Sequence, residues 1–177
     1  EQHCLIVGGG TIAARKLAML CKAGARVTVV SPELSAQTEK LCQEYNCQLE
    51  RRAFVEEDIQ GQRLIIAATS IAAVNQQVSE LAKAKGILVN VADDFTQGDV
   101  VLPSVIDRDP IQIAITTGGA SPVLARMIRR NLERHLPSAY GQLANLVEKY
   151  RSPVSKQLTD ETQRRRFWED VLQGPIA

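Results

Sequence analysis

The chain has 177 residues, 45% of them hydrophobic, which suffices for one domain with a true core or for a domain carrying a smaller appendage. Lys plus Arg (21) nearly balance Asp plus Glu (20), which argues against a strongly basic nucleic-acid binder and against a surface built for anionic lipid. No apolar run approaches the roughly 20 residues of a membrane span and no signal peptide is visible, so a cytoplasmic protein is expected.

Short apolar, β-branched runs alternate with helical patterns over the first 93 residues, the pattern of a parallel sheet with crossover helices. The run "CLIVGG" (4–9) predicts the first strand, and residues 11–23 a helix with Ala13, Ala14, Leu17, Leu20 and Cys21 on its inner face. "RVTVVSP" (26–32) is a second strand stopped by Pro32, a helix follows over about 34–45, and "CQLERR" (47–52) is a more polar strand suited to an edge. "RLIIAAT" (63–69), a helix over 72–86 and "ILVNVAD" (87–93) complete a Rossmann-type α/β sheet in the usual strand order. The pattern then changes. "VVLPSVIDRDPIQIAITTGG" (100–119) predicts a β-hairpin turning at Asp107 to Pro110, and from Ser121 three helical patterns run to the end, through "AYGQLANLVEKYR" and "DETQRRRFWEDVLQ". The expected organisation is therefore a nucleotide-binding α/β domain over 1–99, a hairpin over 100–120 and a small helical domain over 121–177. Charge follows this division: residues 1–110 hold 14 acids and 11 bases, residues 111–177 hold 6 acids and 10 bases. The chain opens without Met and enters a strand at once, as expected of a piece of a longer protein.

In "VGGGTIA", Gly8, Gly10 and Ala13 fit the G-x-G-x-x-[GA] fingerprint in its required setting, between a strand and a helix. Gly8 permits the tight turn, Gly10 lets backbone amides approach a pyrophosphate, and small Ala13 lets the helix pack close to the sheet. An acid normally reads the ribose hydroxyls at the end of the second strand; here that strand ends Val30-Ser31-Pro32-Glu33, leaving Ser31 or Glu33 for the task. No arginine follows at once to hold a 2′-phosphate, which favours NAD over NADP, with Arg15 close enough to be weighed against it. Thr69, ending the run 63–69, joins the expected cofactor contacts.

Ligands of open α/β sheets lie at the carboxyl ends of strands, so "NVADD" is the next place to look. Asp93 is the candidate base, able to take a proton as a cofactor takes a hydride, while Asp94 points elsewhere; the alternative is that both are loop or turn-capping residues. In "ITTGGASPVLAR" (115–126), Thr117, Gly118, Gly119 and Ser121 lead into a helix with Pro122 at its first position, a place for a substrate carboxylate backed by Arg126, Arg129 and Arg130. Ser121 also reads as a plain helix cap. Four cysteines (Cys4, Cys21, Cys42, Cys47) lack CxxC spacing and only two histidines occur, so no structural metal site is expected and the thiols read as reduced.

The segments "CLIVGGGTIAARKLAMLCKAGARVTVVSPE", "IIAATSIAAVNQQV", "VNVADD", "VLPSVIDRDPIQIAITTGGASPVLARMIRR" and "RRRFWE" together resemble the precorrin-2 dehydrogenase/sirohydrochlorin ferrochelatase module of siroheme synthase. The resemblance covers essentially the whole chain, and 102–130 is its most specific part. It implies oxidation of precorrin-2 to sirohydrochlorin with NAD as hydride acceptor, then insertion of ferrous iron, as substrate, to give sirohaem. It also implies a catalytic role for Asp93, cofactor contacts at Thr11, Ile12, Pro32 and Glu33, and a homodimer whose hairpin and helical parts interlock. A fused uroporphyrinogen-III methyltransferase domain outside this chain is implied too. Thr117 stands where relatives often carry serine; it keeps the hydroxyl and adds a methyl. The competing reading is a non-catalytic NAD-sensing module, which needs neither Asp93 nor the basic helices.

Overall fold

The structure is a computed structural model describing residues 2–92, 94 and 96–174. It falls into two compact units, residues 1–102 and 103–177. The first contains β1 (His3–Val7), α1 (Thr11–Lys22), β2 (Arg26–Val30), α2 (Ala36–Glu44), β3 (Gln48–Glu50), β4 (Leu64–Ala67), α3 (Ala72–Ala84) and β5 (Leu88–Val91). All five strands are parallel in the order β3-β2-β1-β4-β5, the Rossmann-type sheet expected, with the polar strand β3 at an edge.

Alternation along β1 divides the core. Leu5 and Val7 face one side with Ile65, Val78 and Val89, while Cys4 and Ile6 face the other with Ala13, Leu17, Val29 and Ile66. Leu5, Ile6 and Leu17 are fully buried, each such side chain contributing about 1.5–3 kcal/mol relative to exposure. Ala13 is fully buried as well, in keeping with the close helix–sheet approach expected of the fingerprint's small position. A 3₁₀ turn at Glu56–Ile59, which periodicity did not reveal, drops fully buried Ile59 under the sheet. It is tied by Asp58, whose carboxylate accepts from the Val55 N–H at 2.9 Å and from Arg52 at 2.6 and 2.8 Å; the guanidinium holds that carboxyl below its usual range.

The second unit holds β6 (Ser104–Arg108), β7 (Ile111–Ile115), α4 (Pro122–Glu133), α5 (Ala139–Gln157) and α6 (Glu161–Gln173). The hairpin is present, but Asp107 and Arg108 belong to the ladder, opposite Gln112 and Ile111, so only Asp109 and Pro110 make the turn. Asp107 supports that turn by accepting from the Asp109 N–H at 3.2 Å. α5 runs six residues past the expected end at Arg151 and through Pro153; the proline removes one N–H without halting the helix. Gly141 explains how α5 meets the hairpin, since a Cβ there would lie 2.2 Å from the Arg108 carbonyl oxygen. Among the described residues, no helix is long and apolar enough to cross a membrane.

Candidate functional site

A cavity of about 850 Å³ opens at the carboxyl ends of β1, β2 and β4. Gly8 to Ile12, Ser31 to Ser35 and Ala68 to Ile71 line it, so Gly8, Gly10, Thr11, Ile12, Ser31, Pro32, Glu33 and Thr69 are brought together. The β1–α1 loop is pinned at both ends: the Gly8 N–H donates to Val30 O at 2.9 Å, and the Ala14 N–H to Gly10 O at 3.0 Å. Gly10 is the N-cap of α1 and brings no capping side chain, and the first turn of α1 holds no acid. The leading amides and the positive end of the helix dipole are thus left for an external anion.

The three glycines do different work. At Gly8 (φ +122°) a Cβ would lie 2.4 Å from Ala68 O, and at Gly9 it would lie 2.1 Å from Glu33 O, whereas at Gly10 it would meet nothing within 4 Å. Gly8 and Gly9 are required by the fold, and Gly10 leaves space on the cavity side. The fingerprint passes over Gly9, because its constraint comes from Glu33, a chain segment that local sequence does not reveal. A dinucleotide pyrophosphate fits this loop, with open space at Gly10 and uncommitted helix-start amides beside it.

Two further residues emerge that sequence reasoning missed. Thr38 on α2 is fully buried, and its hydroxyl donates to Gly9 O at 2.8 Å, next to the Ser35 N–H donating to the same oxygen at 2.8 Å. Asn75 on α3 clasps Thr69 from both sides, its Oδ1 accepting the Thr69 N–H at 3.1 Å and its Nδ2 donating to Thr69 O at 3.0 Å. A polar residue near the start of a predicted helix was the only sequence signal for either. Replacing Thr38 by valine should weaken NAD binding three- to tenfold and cost about 1 kcal/mol, while serine keeps both; isothermal titration beside thermal melts checks this, and unchanged affinity with a lowered melting temperature would limit Thr38 to a structural role.

Ser31 is buried and its hydroxyl donates to Glu33 O at 2.6 Å, so its proton shapes the turn after β2. Glu33 is exposed on the cavity wall, and among the described residues the lining carries no lysine or arginine. Arg15 is exposed on α1 and is not part of that lining. Asp93 lies outside the described residues. Asp94 caps a turn, accepting from the Thr96 N–H at 2.9 Å and from the Gln97 side chain at 2.8 Å, and the Thr96 and Gln97 hydrogen bonds hold its carboxyl below the usual range.

In the second unit, Thr117, Gly118, Gly119 and Ser121 form one built turn. The Thr117 hydroxyl accepts from the Ser121 N–H at 3.0 Å, Ser121 Oγ caps α4 by accepting from the Leu124 N–H at 3.1 Å, and both glycines adopt positive φ. With Ala125 N–H bonded to Ser121 O and Pro122 lacking an N–H, the first turn of α4 leaves the Val123 N–H among the described residues. That is a smaller anion cradle than the sequence suggested. The arginines divide as well: Arg129 pairs with Glu133 at 2.6 Å, whereas Arg126 and Arg130 are exposed.

Three family models match consecutive stretches of the chain: "Putative NAD(P)-binding" over residues 1–104, "Sirohaem biosynthesis protein central" over 108–135 and "Sirohaem synthase dimerisation region" over 139–177. The dimerisation description falls on α5 and α6, within the helical part that the resemblance joins to the hairpin in the dimer. Siroheme synthase of Nitrosococcus oceani is 47% identical over 176 residues, 99% of this chain and 38% of that protein. Siroheme synthase of Thioalkalivibrio sulfidiphilus is 47% identical over 177 residues, 100% of this chain and 36% of that protein. The chain thus spans little more than a third of the length of these relatives. A solved structure titled SirC, precorrin-2 dehydrogenase, superposes with a TM-score of 0.81 at 28% identity, covering 99% of this chain and 86% of that one. With the NAD(P)-binding model spanning more than half of its residues and the two sirohaem models following in order, the chain belongs to the siroheme synthase family.

Proposed function

We propose that this chain oxidises precorrin-2 to sirohydrochlorin with NAD and then serves the insertion of ferrous iron, as substrate, to give sirohaem. The observation carrying the reading is the likeness over nearly the whole chain to a precorrin-2 dehydrogenase, joined to a glycine loop whose cavity suits a dinucleotide. Bound NAD supplies the hydride acceptor. The amides opening α1 receive its pyrophosphate, Glu33 receives the ribose hydroxyls, and Thr69, held by Asn75, borders the cavity farther along. The Glu33 carboxylate would repel a 2′-phosphate with no lysine or arginine among the described lining residues to offset it, which favours NAD over NADP.

Asp93 acts as the base. Removing a hydride from precorrin-2 leaves a proton to be taken, and metal insertion releases two pyrrolic protons; one carboxylate past the end of β5 serves both. Thr117, Ser121 and exposed Arg126 engage substrate carboxylates, in keeping with the basic balance of residues 111–177. Apolar side chains exposed on α4 (Val123, Leu124, Met127, Ile128) fit a surface covered in a homodimer, to which the hairpin and the last two helices contribute. The rest of the longer protein supplies a uroporphyrinogen-III methyltransferase domain, and the setting is cytoplasmic. Anaerobic incubation with precorrin-2 and NAD should produce the sirohydrochlorin absorption, and ferrous iron added afterwards the sirohaem spectrum. Folded protein that binds NAD without any spectral change would overturn the proposal in favour of an NAD-sensing module.

A further inference from the structure

All four cysteines of the chain meet in one apolar cluster, although they come from four different elements: Cys4 from β1, Cys21 from α1, Cys42 from α2 and Cys47 from the turn before β3. They are not equivalent. Cys4 and Cys42 are 4% and 5% exposed, whereas Cys21 and Cys47 are half-buried and their sulfurs stand 3.6 Å apart across 26 residues of sequence. Bond formation requires those sulfurs to close by about 1.5 Å, to the roughly 2.05 Å of a disulfide. The chain between them includes Ser31, Glu33, Ser35 and Thr38, the ribose side of the cavity and the anchor of the glycine loop.

We propose that Cys21 and Cys47 are a reversible dithiol/disulfide pair, a modification site oxidised by low-molecular-weight disulfides. The Cys47 thiolate attacks one sulfur of RS–SR, forming a mixed disulfide and expelling one RS⁻. The Cys21 thiolate then attacks Cys47 Sγ, closing the protein disulfide and expelling the second RS⁻. Two protein thiols are thereby oxidised and one small disulfide is reduced to two thiols, with the two protein protons passing to the leaving thiolates. The order of attack follows from the surroundings. Burial, followed by the hydrogen bond and charge of Cys47, pushes the Cys21 thiol up to about 12; capping Cys47 as a mixed disulfide removes the part due to its charge. Burial likewise pushes Cys42 up to about 11, and with its low exposure keeps it out of the exchange.

The test is incubation of the native protein with oxidised glutathione, alkylation under denaturing conditions, and tryptic mass mapping. Accessible thiols should fall from four to two, with peptide 17–22 cross-linked to peptide 41–51 and released by dithiothreitol. Because peptide 41–51 contains both Cys42 and Cys47, the variants decide the partner: the cross-link should persist in Cys42→Ser and vanish in Cys47→Ser and Cys21→Ser. Four unreacted thiols, a stable glutathione adduct at Cys47 without a cross-link, an internal disulfide within peptide 41–51, or disulfide-linked dimers would each overturn the proposal.

Discussion

Asp93→Ala should lose precorrin-2 oxidation by about 10²–10⁴-fold, the usual span for removing a positioned base, while NAD affinity stays within about twofold. On the proposed reading, the proton released as the hydride departs then has only water to receive it, whereas the proposed pyrophosphate and ribose contacts lie on the β1–α1 loop and after β2, away from the end of β5. Single-turnover kinetics beside fluorescence titration with NADH separates these effects. Both activities intact in the variant would remove Asp93 from the mechanism. Asp93→Asn refines the assignment: loss of oxidation alone, with iron insertion retained, would show that chelation uses a different proton acceptor. Asp94 is a built-in control, because its carboxylate is committed to Thr96 and Gln97. Its replacement should disturb the turn without matching the loss at Asp93.

The second large effect contrasts neighbouring glycines. Gly9→Ala should cost about 3 kcal/mol of stability, because its methyl would meet the Glu33 carbonyl oxygen at 2.1 Å, a backbone atom already fixed in the turn built by Ser31. Gly10→Ala should leave the melting temperature almost unchanged: its φ of −79° suits alanine and its Cβ would meet nothing within 4 Å. The same methyl would occupy space on the cavity side beside the opening amides of α1, so NAD affinity should fall at least tenfold, or about 1.4 kcal/mol. Thermal melts and NAD titrations on the two variants test this directly. A Gly10→Ala protein that binds NAD normally would move the pyrophosphate away from that loop.

Much of this was legible in the residues themselves. Apolar runs punctuated by glycine and proline located the β-strands and α-helices described in the first unit, though not the 3₁₀ turn at Glu56–Ile59, and the polar character of "CQLERR" anticipated its edge position. A period of hydrophobicity is a local property, and burial on one or both faces writes it directly into the chain. Helix limits were less secure: the pattern "AYGQLANLVEKYR" ends at Arg151, yet α5 runs through Pro153 to Gln157. In the candidate site, the glycine fingerprint marked the residues that line the cavity, and "SPVLAR" marked the start of α4. Gly9, Thr38 and Asn75 were not marked, because each is constrained by a partner in another element.

The succession of elements, the glycine loop and the family could be read from the residues alone, since these rest on short-range pattern and on motifs read residue by residue. Tertiary structure decided which groups are spoken for. It spent the Ser31 hydroxyl on Glu33 O, aimed Thr38 at a carbonyl 29 residues away, paired Arg129 with Glu133, and brought Cys21 to Cys47. Hydrogen bonds and sulfur contacts have ranges of a few ångströms, so only the folded path of the chain sets which donors, acceptors and thiols meet and which stay free for a ligand.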